Sequence, residues 1–229
     1  MANQDPNVLS SDQEALAIRI AGKIDALPEK STQSVRAVRK HFTGQLKDAS
    51  PDQMLELAHA MIRRAESLRW VAYEFLHYHK PALNSLGEAE LEALGSGMDS
   101  WDKVDTFASW LAGVAWRQGQ ITDRVVHRWA ASEDRWWRRA ALVSTVALNT
   151  RARGGRGDVP RTLAVCRLLV DDRDDMVVKA LSWALRELVP YDRQEVYNFL
   201  SEYDSRLAAR VRREVRSKLE TGLKNPPGE

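Results

Sequence analysis

The chain repeats one pattern at a distance of 40 residues: Ser132-Glu-Asp-Arg-Trp-Trp-Arg-Arg-Ala-Ala-Leu142 falls on Asp172-Arg-Asp-Asp-Met-Val-Val-Lys-Ala-Leu-Ser182. Acidic residues come first, followed by an apolar pair, a basic residue and a small residue. This order is typical of a HEAT-type helix, and a 40-residue period fits that repeat. The sequence therefore predicts a HEAT-like solenoid of antiparallel helix pairs, whose curvature creates a concave binding face.

Helical periodicity dominates the rest of the chain, which has few glycines and prolines and no run of alternating β-branched residues. We predict an all-α fold with one domain over residues 10–223 and loose tails at 1–9 and 224–229. The basic stretch 149–159 is interpreted as a flexible loop that either contacts phosphate or is simply mobile. The predicted helices cover residues 11–26, 34–46, 51–69, 70–79, a segment near 91, 101–117, 121–130, 133–149, 159–169, 175–188, 193–202 and 206–223.

Several protein classes are excluded by composition. Cys166 is the only cysteine, so the chain cannot form an internal disulfide. It begins without a secretory signal and has no apolar run of about 20 residues, which predicts a cytoplasmic protein with no membrane segment. The five histidines lack metal-ligand spacing, and no nucleotide-binding motif is present. We expect a monomer without metal, cofactor or obligate protein partner.

Charge is distributed unevenly along the chain. Residues 1–134 carry 15 basic and 19 acidic side chains, a net charge of −4, whereas residues 135–229 carry 19 and 13, a net charge of +6. Six arginines and no acid lie between Arg135 and Gly157. A one-sided basic surface attracts polyanions such as DNA, although a solvated arginine face explains the same composition.

Trp183 lies off the apolar stripe of its predicted helix, 175–188. Its neighbours at helical spacing are Lys179 and Arg186, so a cation flanks the indole on either side. Such an arrangement suits contact with a nucleic-acid sugar or base. Packing beneath a neighbouring repeat is the alternative.

A second candidate group opens the predicted helix 101–117. Trp101 and Asp105 are four residues apart and share one face, beside a Gly-Ser-Gly stretch. A carboxylate next to an indole can stabilise a cation or activate water, while a solvated acid is the plainer interpretation. Lys103, between the two, is a candidate DNA contact.

The helix beginning near residue 133 carries three arginines in its opening turns, where the helix dipole does not favour cations. We therefore expect these arginines, Arg135, Arg138 and Arg139, either to bind a negatively charged ligand or to form ion pairs with Glu133 or Asp134.

These motifs together resemble the AlkD-like family of bacterial DNA alkylation repair glycosylases. The resemblance is carried by residues 100–107 (Ser-Trp-Asp-Lys-Val-Asp-Thr-Phe), 129–142 and 179–187 (Lys-Ala-Leu-Ser-Trp-Ala-Leu-Arg-Glu), and it covers about residues 95–205. Before residue 95 the resemblance is limited to a shared helical periodicity, and residues 36–42 give the best alignment there. A tyrosine that the family often places towards DNA aligns with Ala37.

The resemblance implies an enzyme that excises cationic N3- and N7-alkylpurines from double-stranded DNA without flipping the base into a pocket. By motif, Trp101 and Trp183 would lie against the deoxyribose and backbone of the lesion. Asp105 would stabilise the oxocarbenium-like sugar and position water, and Arg139 would hold a phosphate. Ala37 leaves more room, which suggests bulkier adducts or else weaker activity. A catalytically silent DNA-binding relative and a protein-binding scaffold are the alternatives.

Overall fold

The structure is a computed structural model that describes residues 6–225, with side chains from Ser11 onward. All regular secondary structure in this range is helical, so the all-α prediction is confirmed. The predicted tails fall partly outside it, at residues 1–5 and 226–229, while the first helix already begins at Pro6. Within the described part, no helix is long and apolar enough to cross a membrane.

The described residues form two compact units, the first ending at Leu94. The helices of the first unit are α1 (Pro6–Asp25), α2 (Thr32–Gln45), α3 (Pro51–Arg64), α4 (Arg69–Tyr78), α5 (Lys80–Ser85) and, at its end, α6 (Glu88–Gly95). In this unit α3 packs against α1, α4 and α5, and α2 packs against α1 and α4.

The second unit begins at Gly95 and is also built of helices that pack on one another. Its helices are α7 (Trp101–Phe107), α8 (Gly113–Arg117), α9 (Asp123–Ala130), α10 (Arg135–Asn149), α11 (Val159–Leu168), α12 (Asp175–Leu188), α13 (Arg193–Glu202) and α14 (Ala209–Thr221). Here α12 packs between α10 and α14, and α11 lies between α9 and α12. Stacked helix pairs of this kind are the architecture of a helical-repeat protein.

The 40-residue repeat appears in this unit as two helix starts with equivalent caps. The Asp134 carboxylate accepts a hydrogen bond from the Trp136 backbone N–H at 2.8 Å, and the Asp174 carboxylate accepts one from the Met176 N–H at 2.9 Å. Each cap satisfies an N–H group that has no partner inside its helix. The repeat therefore sets the starting points of α10 and α12.

Between α7 and α8 the helix passes through a π turn, Ala108–Ala112, in which the Gly113 N–H donates to the Ala108 carbonyl five residues back. Gly113 lies so close to α10 that a Cβ there would collide with the Ser144 carbonyl oxygen and reach within 2.7 Å of the Ala147 Cβ. Only glycine permits this approach. The sequence predicts one regular helix here, and its apolar spacing contains no sign of the extra residue.

Two further differences concern helix ends. The predicted helix 51–69 is interrupted at Ala65, whose backbone is extended, and a 3-10 turn, Glu66–Leu68, precedes α4. The sequence predicts no helix over α5, because the residue that caps it is unusual. The His79 imidazole Nδ1 accepts a hydrogen bond from the Ala82 backbone N–H at 3.1 Å. Histidine is not among the side chains that normally signal a helix start.

The basic loop after α10 is more ordered than its composition suggests. It contains a 3-10 turn, Arg151–Arg153. Arg117 donates to the Arg153 carbonyl at 2.6 Å, and the Asn149 side chain accepts from the Asp158 N–H at 2.9 Å. The interpretation of this stretch as a flexible loop is therefore replaced by a turn that is fastened to α8 and to the end of α10.

Candidate functional site

Asp105 and Arg139, predicted separately, form a bidentate ion pair between α7 and α10. Arg139 Nε donates to Asp105 Oδ1 and Nη2 donates to Oδ2, each at 2.8 Å. Arg139 Nη1 also donates to the Met176 carbonyl in the first turn of α12, at 2.5 Å. The side chains are only 7% and 19% exposed for Arg139 and Asp105. One arginine thus joins three helices around a carboxylate.

The charge state of Asp105 reflects two opposing effects. Burial raises the pKa of its carboxyl above the ordinary value, whereas the hydrogen bonds and charge of Arg139 lower it; the charge of Asp102 has a smaller raising effect and that of Arg153 a still smaller lowering one. The balance leaves the pKa raised. Such a carboxylate is poorly solvated, so it interacts more strongly with a nearby cation than a surface aspartate does.

The two tryptophans of the predicted site differ in their surroundings. Trp101, one turn before Asp105 at the start of α7, is 57% exposed. Trp183 is half-buried on α12, two turns after Met176 on the same face, and its indole Nε1–H donates to Glu187 Oε1 at 3.1 Å. Trp101 therefore offers an open aromatic face, whereas Trp183 is held by a neighbour.

Each remaining cation predicted to contact DNA has an acidic or polar partner. In the opening turns of α10, Arg135 pairs with Asp174 at 3.3 Å and Arg138 with Asp172 at 2.7 Å. The sequence predicts that, if these arginines form ion pairs within the protein, their partners are Glu133 or Asp134. The carboxylates come instead from the next repeat, so these arginines connect neighbouring repeats.

The two lysines are paired with aspartates four residues earlier in the chain. Lys103 binds Asp99 at 2.6 Å, and Lys179 binds Asp175 at 2.6 Å. Arg186 donates to the Ser182 hydroxyl at 3.2 Å, and its Nε lies 3.9 Å from Glu214 Oε2 on α14. The most exposed of the five cations are Arg135 and Lys179, at 51% and 42%, which makes them the most accessible to a phosphate.

Arg153 lies close to Asp105, although the sequence does not predict this arginine as part of the site. The centre of its guanidinium lies 5.5 Å from the centroid of the Trp110 ring, a cation–π contact. Burial lowers the pKa of Arg153, while the charges of Asp105 and Glu187 raise it, which places the guanidinium within electrostatic reach of both carboxylates. Its Nη1 is buried without a hydrogen-bond partner among the described residues. The arginine-rich composition identified the loop but not which arginine turns inward.

No group of three or more histidine, cysteine, aspartate or glutamate side chains that could hold a metal ion occurs among the described residues. Cys166 is buried, and burial raises the pKa of its thiol well above the usual range. The thiol therefore stays protonated and is a poor nucleophile.

The stacked helix pairs and the largely buried pair of Asp105 and Arg139 define an all-α helical-repeat protein with a polar site on one of its repeats. The family model described as DNA alkylation repair enzyme matches residues 30–219. The chain belongs to this family, which supports a role in DNA repair and extends the resemblance into the first unit. Comparison with curated proteins and with solved structures gives no match.

Proposed function

We propose that the chain is a DNA glycosylase that hydrolyses the N-glycosidic bond of cationic N3- and N7-alkylated purines in double-stranded DNA. The observation that carries the proposal is the largely buried, bidentately held carboxylate of Asp105, one helical turn from the exposed ring of Trp101. Family membership supports DNA as the partner.

The chemistry needs few groups because an alkylated purine already carries a positive charge. When the bond between C1′ and the base nitrogen breaks, its electrons neutralise the base, which leaves without being protonated. Positive charge develops on the deoxyribose, where the Asp105 carboxylate stabilises it. Water then adds to C1′ and loses its proton to Asp105 or to solvent.

The aromatic and cationic side chains have supporting roles in this proposal. The negative faces of Trp101 and Trp183 would lie against the cationic sugar and the adjoining backbone. Arg135, Arg138, Lys103, Lys179 and Arg186 are the proposed phosphate contacts, with Arg135 and Lys179 the most accessible.

Arg139 has two proposed roles. In the free protein its donors are directed at Asp105 and the Met176 carbonyl, so its first role is to orient the carboxylate. The phosphate contact implied by the resemblance would use the guanidinium hydrogens that these bonds leave over.

Substrate selection follows from the resemblance. Excision without base flipping would let an enlarged base remain in the duplex. Ala37, where relatives often have tyrosine, is exposed on α2 and presents only a methyl group. We therefore include bulky adducts among the proposed substrates.

Release of methylated purines from alkylated duplex DNA tests the proposal. Wild type and Asp102→Asn should release base and Asp105→Asn should not, because Asp102 is an exposed acid on the same helix and controls for loss of charge. If none of the three proteins releases base but all bind duplex, the chain is a catalytically silent DNA-binding protein. If duplex binding is absent or independent of salt, a protein-binding scaffold is favoured.

A further inference from the structure

Glu187 is a carboxylate of the site that the proposed chemistry does not use. It lies one turn after Trp183 on α12, and its Oε1 accepts the indole N–H at 3.1 Å. Its second oxygen, Oε2, accepts a long hydrogen bond from the Thr150 hydroxyl at 3.4 Å. Thr150 immediately precedes the 3-10 turn that carries Arg153. One side chain therefore contacts both the indole and the basic turn.

A negative charge at this position opposes the binding of a polyanion, because it repels phosphate groups. Burial lowers the pKa of Arg153 and of Arg186, and the charge of Glu187 raises both, after the larger effects of Asp105 on Arg153 and of Glu214 on Arg186. A half-buried indole N–H requires an acceptor, but a neutral oxygen would meet that need without repelling DNA. A hydrogen bond to a charged acceptor is stronger than one to a neutral acceptor, so the Glu187 carboxylate holds the ring more firmly.

We propose that Glu187 is a positioning residue, which fixes the plane of the Trp183 indole by accepting its N–H. The inference rests on the proposed function for what the fixed ring meets, the deoxyribose and backbone of the lesion. A ring held at one angle before DNA binds does not have to be ordered during binding, so more of the interaction is available to the reacting sugar.

The hydrogen bond itself can be observed without substrate. In ¹⁵N-labelled protein the indole N–H resonance of Trp183 is assigned by its loss in Trp183→Phe. Glu187→Ala should shift this resonance and speed its exchange with solvent about tenfold. Glu187→Gln, whose amide oxygen can accept the same bond, should retain most of the protection. Glu202→Ala, at an exposed glutamate on α13, is the control and should change nothing.

Its functional consequence is tested by single-turnover base release and duplex affinity. Glu187→Ala should release base about tenfold more slowly while binding duplex as tightly as wild type or more tightly, because a repulsive charge has been removed. Glu187→Gln should stay within about threefold of the wild-type rate. A side chain with a merely structural role would not separate rate from affinity in this way.

A double-mutant cycle distinguishes action through Trp183 from action elsewhere. Phenylalanine has no N–H, so Glu187→Ala should cause no further slowing in a Trp183→Phe background. An equal slowing in both backgrounds, or an unchanged resonance in Glu187→Ala, overturns the inference. If wild type releases no base, the glycosylase proposal fails, while the resonance and the duplex affinities of the same variants still decide whether Glu187 positions the indole.

Discussion

Replacing Arg139 by methionine removes the cation that holds Asp105 while keeping most of the aliphatic volume. Arg139 donates two hydrogen bonds to Asp105 and one to the Met176 carbonyl, and the two side chains of the pair are largely buried. Removing one partner of a buried pair leaves an uncompensated charge. We therefore expect Arg139→Met to lower the free energy of unfolding by about 3 kcal/mol at pH 8.

The cost should depend on pH, because Asp105 can relieve it by taking up a proton. Burial already raises its pKa above the ordinary value of 3.8 and Arg139 opposes that rise, so the substitution raises the folded-state pKa further. A group whose pKa is higher in the folded than in the unfolded state binds its proton more tightly when folded. Stability lost at pH 8 is therefore regained as the pH falls through the folded-state pKa towards the unfolded value.

Urea unfolding at pH 8 and pH 5, followed by tryptophan fluorescence, measures both effects. Arg135→Met is the matched control, because its pair with Asp174 is half-exposed and should contribute no more than about 1 kcal/mol. The double variant with Asp105→Asn should be insensitive to pH at this site. A penalty that is the same at both pH values, or one no larger than that of Arg135→Met, would refute the reasoning.

Three further outcomes follow from the same contacts. Base release should decline on acidification with a midpoint above pH 3.8, because burial raises the pKa of Asp105; single-turnover rates corrected for background in Asp105→Asn give the midpoint. Arg135→Met and Lys179→Met should each reduce the slope of log affinity against log salt by about 1, measured by duplex titration, whereas an unchanged slope would remove that residue from the phosphate contacts. Gly113→Ala should lower the free energy of unfolding by about 2 kcal/mol in chemical denaturation, since its Cβ would press on Ala147; stability equal to wild type would show that the helices can separate without cost.

The sequence predicted best those elements whose signals are local. Helices α12 and α13 have the predicted bounds, because Asp174 and Asp192 cap their first turns and Pro190 follows α12. The equivalence of α10 and α12 was also visible, since both cap and apolar pair recur at a fixed distance. Short-range hydrogen bonds leave a pattern that can be read along one turn of helix.

The contacts of the site are not local, and this is why only its members could be predicted. Asp105 and Arg139 are 34 residues apart, and no periodicity in the sequence predicts that they contact each other. The partners Asp172 and Asp174 of the α10 arginines belong to the following repeat. The membership of Arg153 in the site depends on how a turn folds back, which composition does not specify.

The π turn between Asp105 and Gly113 has a consequence for how this site would respond to insertions and deletions. One additional residue in a helical turn advances the chain by about 100° around the axis. The direction of Trp101 and Asp105 is thereby set apart from the direction of the glycine that anchors the following segment on α10. Loss or gain of one residue within 108–112 would rotate the carboxylate about the helix axis while the anchor stays in place. An insertion or deletion at this point would therefore change the direction in which the carboxylate points without changing any side chain of the site.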